Sequence, residues 1–125
     1  MPLRKLLTVY IALLSLTACS VSDLPFVYRA DLQQGTVLEA ERVERLEPGM
    51  SRRQVRFLVG TPDIDDPFHA DRWDYTYRFV PGDGGPVTRE QLTVFFDGDR
   101  LIAARGTHID EDSELARRAR RLAGE

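Results

Sequence analysis

The chain has 125 residues, 17 of them basic and 20 acidic, for a formal net charge of −3. That length supports one small domain around a single core rather than two. Mild acidity excludes the broad basic surface of a nucleic-acid-binding protein, and a single cysteine excludes an internal disulfide framework.

Arg4 and Lys5 precede a short uncharged run, LLTVYIALLSL from Leu6 to Leu16, which closes on Leu16-Thr17-Ala18-Cys19. A bilayer crossing takes about 20 residues, whereas a positive end, a short apolar middle and a small-residue close fit an export signal. Leu-Thr-Ala-Cys resembles the bacterial lipobox, which implies cleavage before Cys19 and acylation of that residue. Acylation removes a free thiol from an oxidising periplasm. Several acyl chains, at about 0.8 kcal/mol per buried methylene, make a durable anchor. Ser20 rather than Asp follows the cysteine, and resemblance to lipoprotein sorting rules then implies the periplasmic face of a bacterial outer membrane. Residues 1–18 are read as the signal peptide. Their removal takes away Arg4 and Lys5 and no acid, so 107 residues remain at a formal charge of −5.

Residues 19–35 read as a lipidated tether. Val21–Ala30 has no clear period, and Pro25 disfavours a helix there. The body, residues 36–106, opens with two short helices. Val37–Leu46 carries Leu38, Ala40, Val43 and Leu46 at near-helical spacing, Thr36 and Glu39 suit a capping box, and Pro48-Gly49 stops it. The second helix starts at Ser51, with Gln54 three residues on. Its apolar stripe is Val55, Leu58 and Val59, its solvent face Arg52, Arg53 and Arg56, and its left-handed stop Gly60 before Pro62.

Sheet follows. Arg72–Phe79 alternates strictly, with Trp73, Tyr75, Tyr77 and Phe79 on one face. Gly82, Gly84, Gly85 and Pro86 form a loop, Gln91–Phe96 is a second strand, and Asp97-Gly98 turns the chain into a third at Leu101–Ala104. Such a meander needs one face covered, and two amphipathic helices are available. The expected fold is α+β, two short helices on a three-stranded antiparallel sheet. Residues 107–125 form a charged tail in which Leu115, Ala119 and Leu122 have helical spacing. Acids gather at its start and arginines at its end, as a helix dipole favours, but so thin a stripe predicts a frayed or partner-dependent helix.

Little in the chain suggests catalysis. His69 and His108 lie in different loops, in no metal-ligand spacing. Asp63, Asp65 and Asp66 are interrupted by Pro67 and Phe68 and lack the ordered oxygens of a calcium loop. Pro81–Pro86 lacks the Lys-Ser/Thr ending of a phosphate loop. We read the chain as a non-enzyme with no metal and no cofactor. The arginine-rich tail has two readings, attraction to anionic headgroups or an acidic partner, and a solvated face.

Four blocks in register point further: Tyr28-Arg29-Ala30-Asp31-Leu32-Gln33-Gln34-Gly35; Gly49-Met50-Ser51 with Gln54-Val55; Gly60-Thr61-Pro62; and Asp66-Pro67-Phe68 leading to Trp73, Tyr75 and Arg78. Together they resemble the BamE family, also called SmpA/OmlA, over about Tyr28 to Ile102. The resemblance implies an accessory subunit of the machinery that folds β-barrel proteins into the outer membrane. It implies contact with the subunit BamD, with BamA nearby, and phosphatidylglycerol on an overlapping surface. Carried over by motif, that surface holds Leu32, Gln34, Gly35, Phe68 and Arg78. Val37, Asp63 and Asp74 stand where family members often carry larger apolar or aromatic residues, and the two acids are expected to repel an anionic headgroup. Similar helix-helix-sheet units also occur in β-lactamase-inhibitor proteins, which makes an inhibitor or binding module the alternative.

Overall fold

The computed structural model describes residues 2–15 and 27–124, in two compact units divided between Ala30 and Asp31. In the first unit, α1 (Pro2–Ser15) exposes Leu3, Leu6, Leu7, Val9, Tyr10 and Ile11. No helix among the described residues is long and apolar enough to cross a membrane. Cys19 and most of the expected tether lie outside the described residues.

The second unit is the expected α+β domain. Its elements are β1 (Leu32–Gly35), α2 (Ala40–Val43), α3 (Arg52–Val59), β2 (Ile64–Asp65), β3 (Arg72–Val80), β4 (Thr88–Asp97), β5 (Arg100–Gly106) and α4 (Glu114–Ala123). The meander appears as β3, β4 and β5. The structure adds two short strands, both antiparallel to β3, giving the order β1-β3-β4-β5 with β2 also on β3. Since β4 pairs with β3 from Arg72 to Phe79, β1 and β2 must share the other side of β3, end to end. Leu32–Gly35, expected at the end of the tether, is therefore sheet.

Pairing of the chain into this edge also shortens the first helix. Its expected cap, Thr36, donates its backbone N–H to Thr76 O at 2.9 Å, and its hydroxyl donates to Asp63 Oδ1 at 3.1 Å. Sheet pairing has taken the capping residue, so α2 starts only at Ala40, after an N-cap Glu39 that makes no side-chain cap bond. The apolar positions nevertheless bury as the spacing implied, with Leu38, Val43 and Leu46 all in the core.

The second helix follows its sequence signals closely. Ser51 Oγ accepts from Gln54 N at 3.2 Å, and Gln54 Oε1 accepts from Ser51 N at 2.8 Å. This reciprocal box satisfies two otherwise orphaned amides, and such a cap contributes about 1 kcal/mol. Gly60 ends α3 at a positive φ of 103°, with an extended ψ in place of the left-handed helical cap. Just before α3 the chain is stitched to β5: Gly49 N donates to Leu101 O at 2.7 Å and Leu101 N to Met50 O at 2.8 Å.

Val43, Leu46, Val55 and Val59 meet Trp73, Tyr75, Leu92, Val94, Phe96 and Leu101 in one core. Each such side chain contributes roughly 1.5–3 kcal/mol when fully buried. The Tyr75 hydroxyl donates to Gly60 O at 3.0 Å, and burial pushes its pKa far above the ordinary phenol value, so it remains a donor. The tail helix α4 is docked rather than frayed. Leu115, Ala116 and Ala119 are buried, α4 packs along β5, Ser113 Oγ caps Ala116 N at 3.2 Å, and Gly124 closes the helix in the left-handed conformation. Among the described residues, β5 is thus flanked by α4 and bonded by Gly49 and Met50 along its outer edge, whereas no strand pairs with the outer edge of β1.

Candidate partner-binding edge

An uncovered edge strand offers unpaired backbone groups to another molecule, so natural proteins keep such strands short or blunt them with charge. Here the edge is short, and every residue of β1 is exposed. Residues directly opposite in a sheet share a face. Gln34 lies opposite Arg78, and Arg78 lies opposite Arg89, which places the three in one row across β1, β3 and β4. Leu32, opposite Val80, stands two residues along the same face and is 46% exposed. Arg78 and Arg89 are both exposed and form no ion pair among the described residues. Like charges directly opposite destabilise a sheet unless an anion or acid lies between them. A groove of about 510 Å³ follows this stretch and includes Gln34, Gly35, Thr76, Tyr77, Arg78 and Arg89.

Gly35 ends β1 at a φ of +83°, and a Cβ there would meet Thr76 O at 1.9 Å. The residue carried over as a contact glycine is therefore already needed by the fold, because it lets β1 lie against β3. The family surface divides in the structure. Phe68 is 90% exposed, but it sits in the 3₁₀ turn Pro67–His69 before the start of β3. Arg78 lies six residues beyond Arg72, or about 20 Å at the rise of a strand. Leu32, Gln34, Gly35 and Arg78 form one patch, and Phe68 belongs to a second.

The turn that presents Phe68 is built on Asp66, whose carboxylate accepts from Phe68 N and from His69 Nδ1, both at 2.9 Å. These hydrogen bonds, that from His69 first, hold the Asp66 carboxyl below the usual carboxylate range. A lowered folded pKa means that the contribution is complete above the unfolded value of about 3.9 and fades as pH falls through the folded value. Acid titration followed by NMR should therefore give the Asp66 carboxyl carbon a midpoint below the ordinary value of about 3.9. A midpoint at or above that value would contradict the assignment.

The two acids expected to repel an anionic headgroup, Asp63 and Asp74, both have their carboxylates hydrogen-bonded within the fold. Asp74 is 9% exposed; it accepts from Arg72 Nε at 2.9 Å, Arg72 Nη2 at 3.0 Å and Thr93 Oγ1 at 2.7 Å. Its charge is neutralised in place. Asp63 Oδ2 accepts from Thr76 N at 2.7 Å, in the gap between β1 and β2 where a strand carbonyl would otherwise bond. His69 and His108 each face one acid, Asp66 and Glu90, in separate places. No three His, Cys, Asp or Glu among the described residues converge as a metal site requires. Arg89 escapes a reading of the sequence because only strand register, not spacing, reveals its neighbour.

Comparison with known proteins agrees with this architecture. Residues 35–106 match the family model described as the outer membrane protein assembly factor BamE domain. An outer membrane protein assembly factor BamE from Pseudomonas fluorescens is 46% identical over 98 residues, covering 78% of this chain and 54% of that protein. One from Nitrosomonas europaea is 51% identical over 94 residues, covering 74% and 56%. The chain thus spans little more than half the length of these two relatives. One from Neisseria meningitidis is 36% identical over 113 residues, covering 89% of this chain and 90% of its own. With the family domain matched from the end of β1 through β5, the chain belongs to the BamE family of outer membrane protein assembly factors.

Proposed function

We propose that this chain is a non-catalytic scaffold subunit of the machinery that assembles β-barrel proteins in the outer membrane. Acyl chains on Cys19 hold it at the periplasmic face of that membrane. The β1 edge binds BamD, with BamA alongside, and a phosphatidylglycerol headgroup is accepted on the overlapping surface. The observation that carries the reading is the exposed row Gln34–Arg78–Arg89 beside an open sheet edge. A guanidinium binds a carboxylate or phosphate through two parallel hydrogen bonds, and the Gln34 amide supplies both a donor and an acceptor beside it. Two unneutralised arginines in register favour an acidic or phosphate-bearing counterpart, and the acids expected to oppose it are already engaged.

Affinity purification from membranes tests the assignment. Truncating one partner of a buried interfacial charge pair costs about 2–5 kcal/mol. Arg78→Glu should therefore lower BamD recovery by at least about tenfold, and Gln34→Ala should lower it less, with the melting temperature of each variant near that of the parent. Unchanged recovery from folded variants would place the contact surface elsewhere. Mass spectrometry of the mature N-terminus tests the anchor separately: an unacylated Cys19 would remove it.

A further inference from the structure

The helix α4 lies outside the family match, which ends at residue 106, and its outward face has no part in the β1 edge. We propose that this face binds an anionic bilayer surface. The domain's β5 edge would then rest on the membrane while the β1 edge stays free for a protein partner.

Much of α4 is already committed. Leu115, Ala116 and Ala119 are used against β5 and the core, so the helix is held in one orientation. Arg118 is ion-paired to Glu114, and Arg120 Nη2 donates to Glu111 O at 3.0 Å. Arg117 and Arg121 are left. They are one helical turn apart and exposed, and their guanidiniums hold no hydrogen bond or ion pair among the described residues. Leu122 beside them is 57% exposed. Asp110, Glu111 and Asp112 precede the helix, and Glu114 in its first turn is paired with Arg118, which leaves the Arg117 and Arg121 guanidiniums uncompensated by an acid within the described helix.

A bilayer fits this face better than an acidic protein does. Protein hot spots centre on an aromatic or arginine anchor seated in a desolvated pocket. The outward face of α4 has no aromatic residue; besides the Glu114–Arg118 pair it presents the Arg117 and Arg121 heads and Leu122. An extended anionic surface asks for nothing more. The strand order sets β5 and β1 at opposite edges of the sheet, so neither contact obstructs the other. Lipid contact through α4 is independent of the residues assigned to BamD, although an acyl anchor would raise the effective concentration of a contact this weak.

Partition of the full chain into sedimented vesicles tests it. The N-terminal segment contributes equally to parent and variants, so their ratio isolates α4. Each arginine near a charged leaflet is worth about a fivefold gain in partition. Arg117→Ala/Arg121→Ala should therefore lower partition into mixed phosphatidylcholine–phosphatidylglycerol vesicles roughly 25-fold. The difference should vanish in pure phosphatidylcholine and collapse at high salt, where exposed charges are screened. Arg78→Ala serves as the comparison, because it should leave the α4-dependent step in place. Equal partition of parent and α4 double variant overturns the proposal, and so does loss confined to Arg78→Ala, which would put the lipid at the β1 edge. Unchanged partition with reduced recovery of a protein partner overturns it in favour of an acidic protein surface. Both substituted side chains are exposed and make no hydrogen bond or ion pair among the described residues, and circular dichroism should show each variant folded.

Discussion

Replacing Trp73 with alanine should lower the unfolding free energy by about 4 kcal/mol, the middle of the range for removing a large aromatic from a core. For a domain of this size that is a fall of roughly 20 °C in melting temperature. The ring is 3% exposed and stands edge-on to Phe96, with centroids 4.7 Å apart. Its indole N–H donates to Asp65 Oδ1 at 3.2 Å, tying β2 to β3. Arg52 and Arg56 lie over it at 5.3 and 4.9 Å, and Arg52 also lies 4.3 Å from the Phe96 ring. The Arg52 guanidinium in turn donates to Gly98 O at 2.9 Å and Ala70 O at 2.6 Å. Trp73 is therefore where α3, β2, the loop before β3 and the β4–β5 turn converge. Its removal leaves a cavity and takes one aromatic face from Arg56 and one of two from Arg52, each contact worth about 0.5–1 kcal/mol. Trp73→Phe should cost less, since a ring remains; the bond to Asp65 and part of the ring volume are lost. Urea unfolding followed by circular dichroism is the suitable measurement, because Trp73 is the chain's one tryptophan and its fluorescence goes with it. A loss below about 1.5 kcal/mol for Trp73→Ala would show that the ring is not such a joint.

That Trp73 belongs to the core is legible in the sequence, while the two arginines stacked on it are not. Strict alternation over Arg72–Phe79 marks the buried face, but charge alone sends the α3 arginines to water. A guanidinium at a helix edge is both hydrated and able to lie flat on an aromatic ring. The same contrast separates the other elements. α3 announces itself through Ser51, Gln54 and Gly60, local signals that local hydrogen bonds satisfy. β1 announces nothing, since Leu-Gln-Gln-Gly exposed on both faces has no alternation to detect. Its existence depends on Thr76 and Tyr77, more than forty positions away, and on a glycine whose need becomes visible only in the fold. The candidate site suffers most from this. Family motifs single out Gln34 and Arg78, but Arg89 completes their row, and Phe68 stands at the far end of β3. Asp63 and Asp74 look like free negative charge in the sequence because an acid's partners cannot be read from its position in the chain.

Gly35→Ala should disable the candidate edge more thoroughly than any single charge substitution there. At φ +83° an alanine is strained by about 1–2 kcal/mol, and its Cβ would stand 1.9 Å from Thr76 O, closer than atoms can approach. Two reliefs are open: the central sheet shifts, or β1 leaves β3. The first disturbs β3 and its pairing to β4, next to the fully buried Tyr75 and Leu92. The second gives up four exposed residues and little buried apolar area, so it costs less. Detachment of β1 is the expected outcome, with the global melting temperature falling by only several degrees. Amide exchange should then show lost protection at Leu32–Thr36 while Leu92–Phe96 keep theirs, a pattern no surface substitution reproduces. BamD recovery should fall at least as far as in Arg78→Glu, because Gln34 leaves its place beside Arg78 and the edge itself is gone. If exchange shows β1 detached and recovery is nevertheless intact, partner binding does not run through this strand, and the row of Gln34, Arg78 and Arg89 is not the surface that holds the complex together.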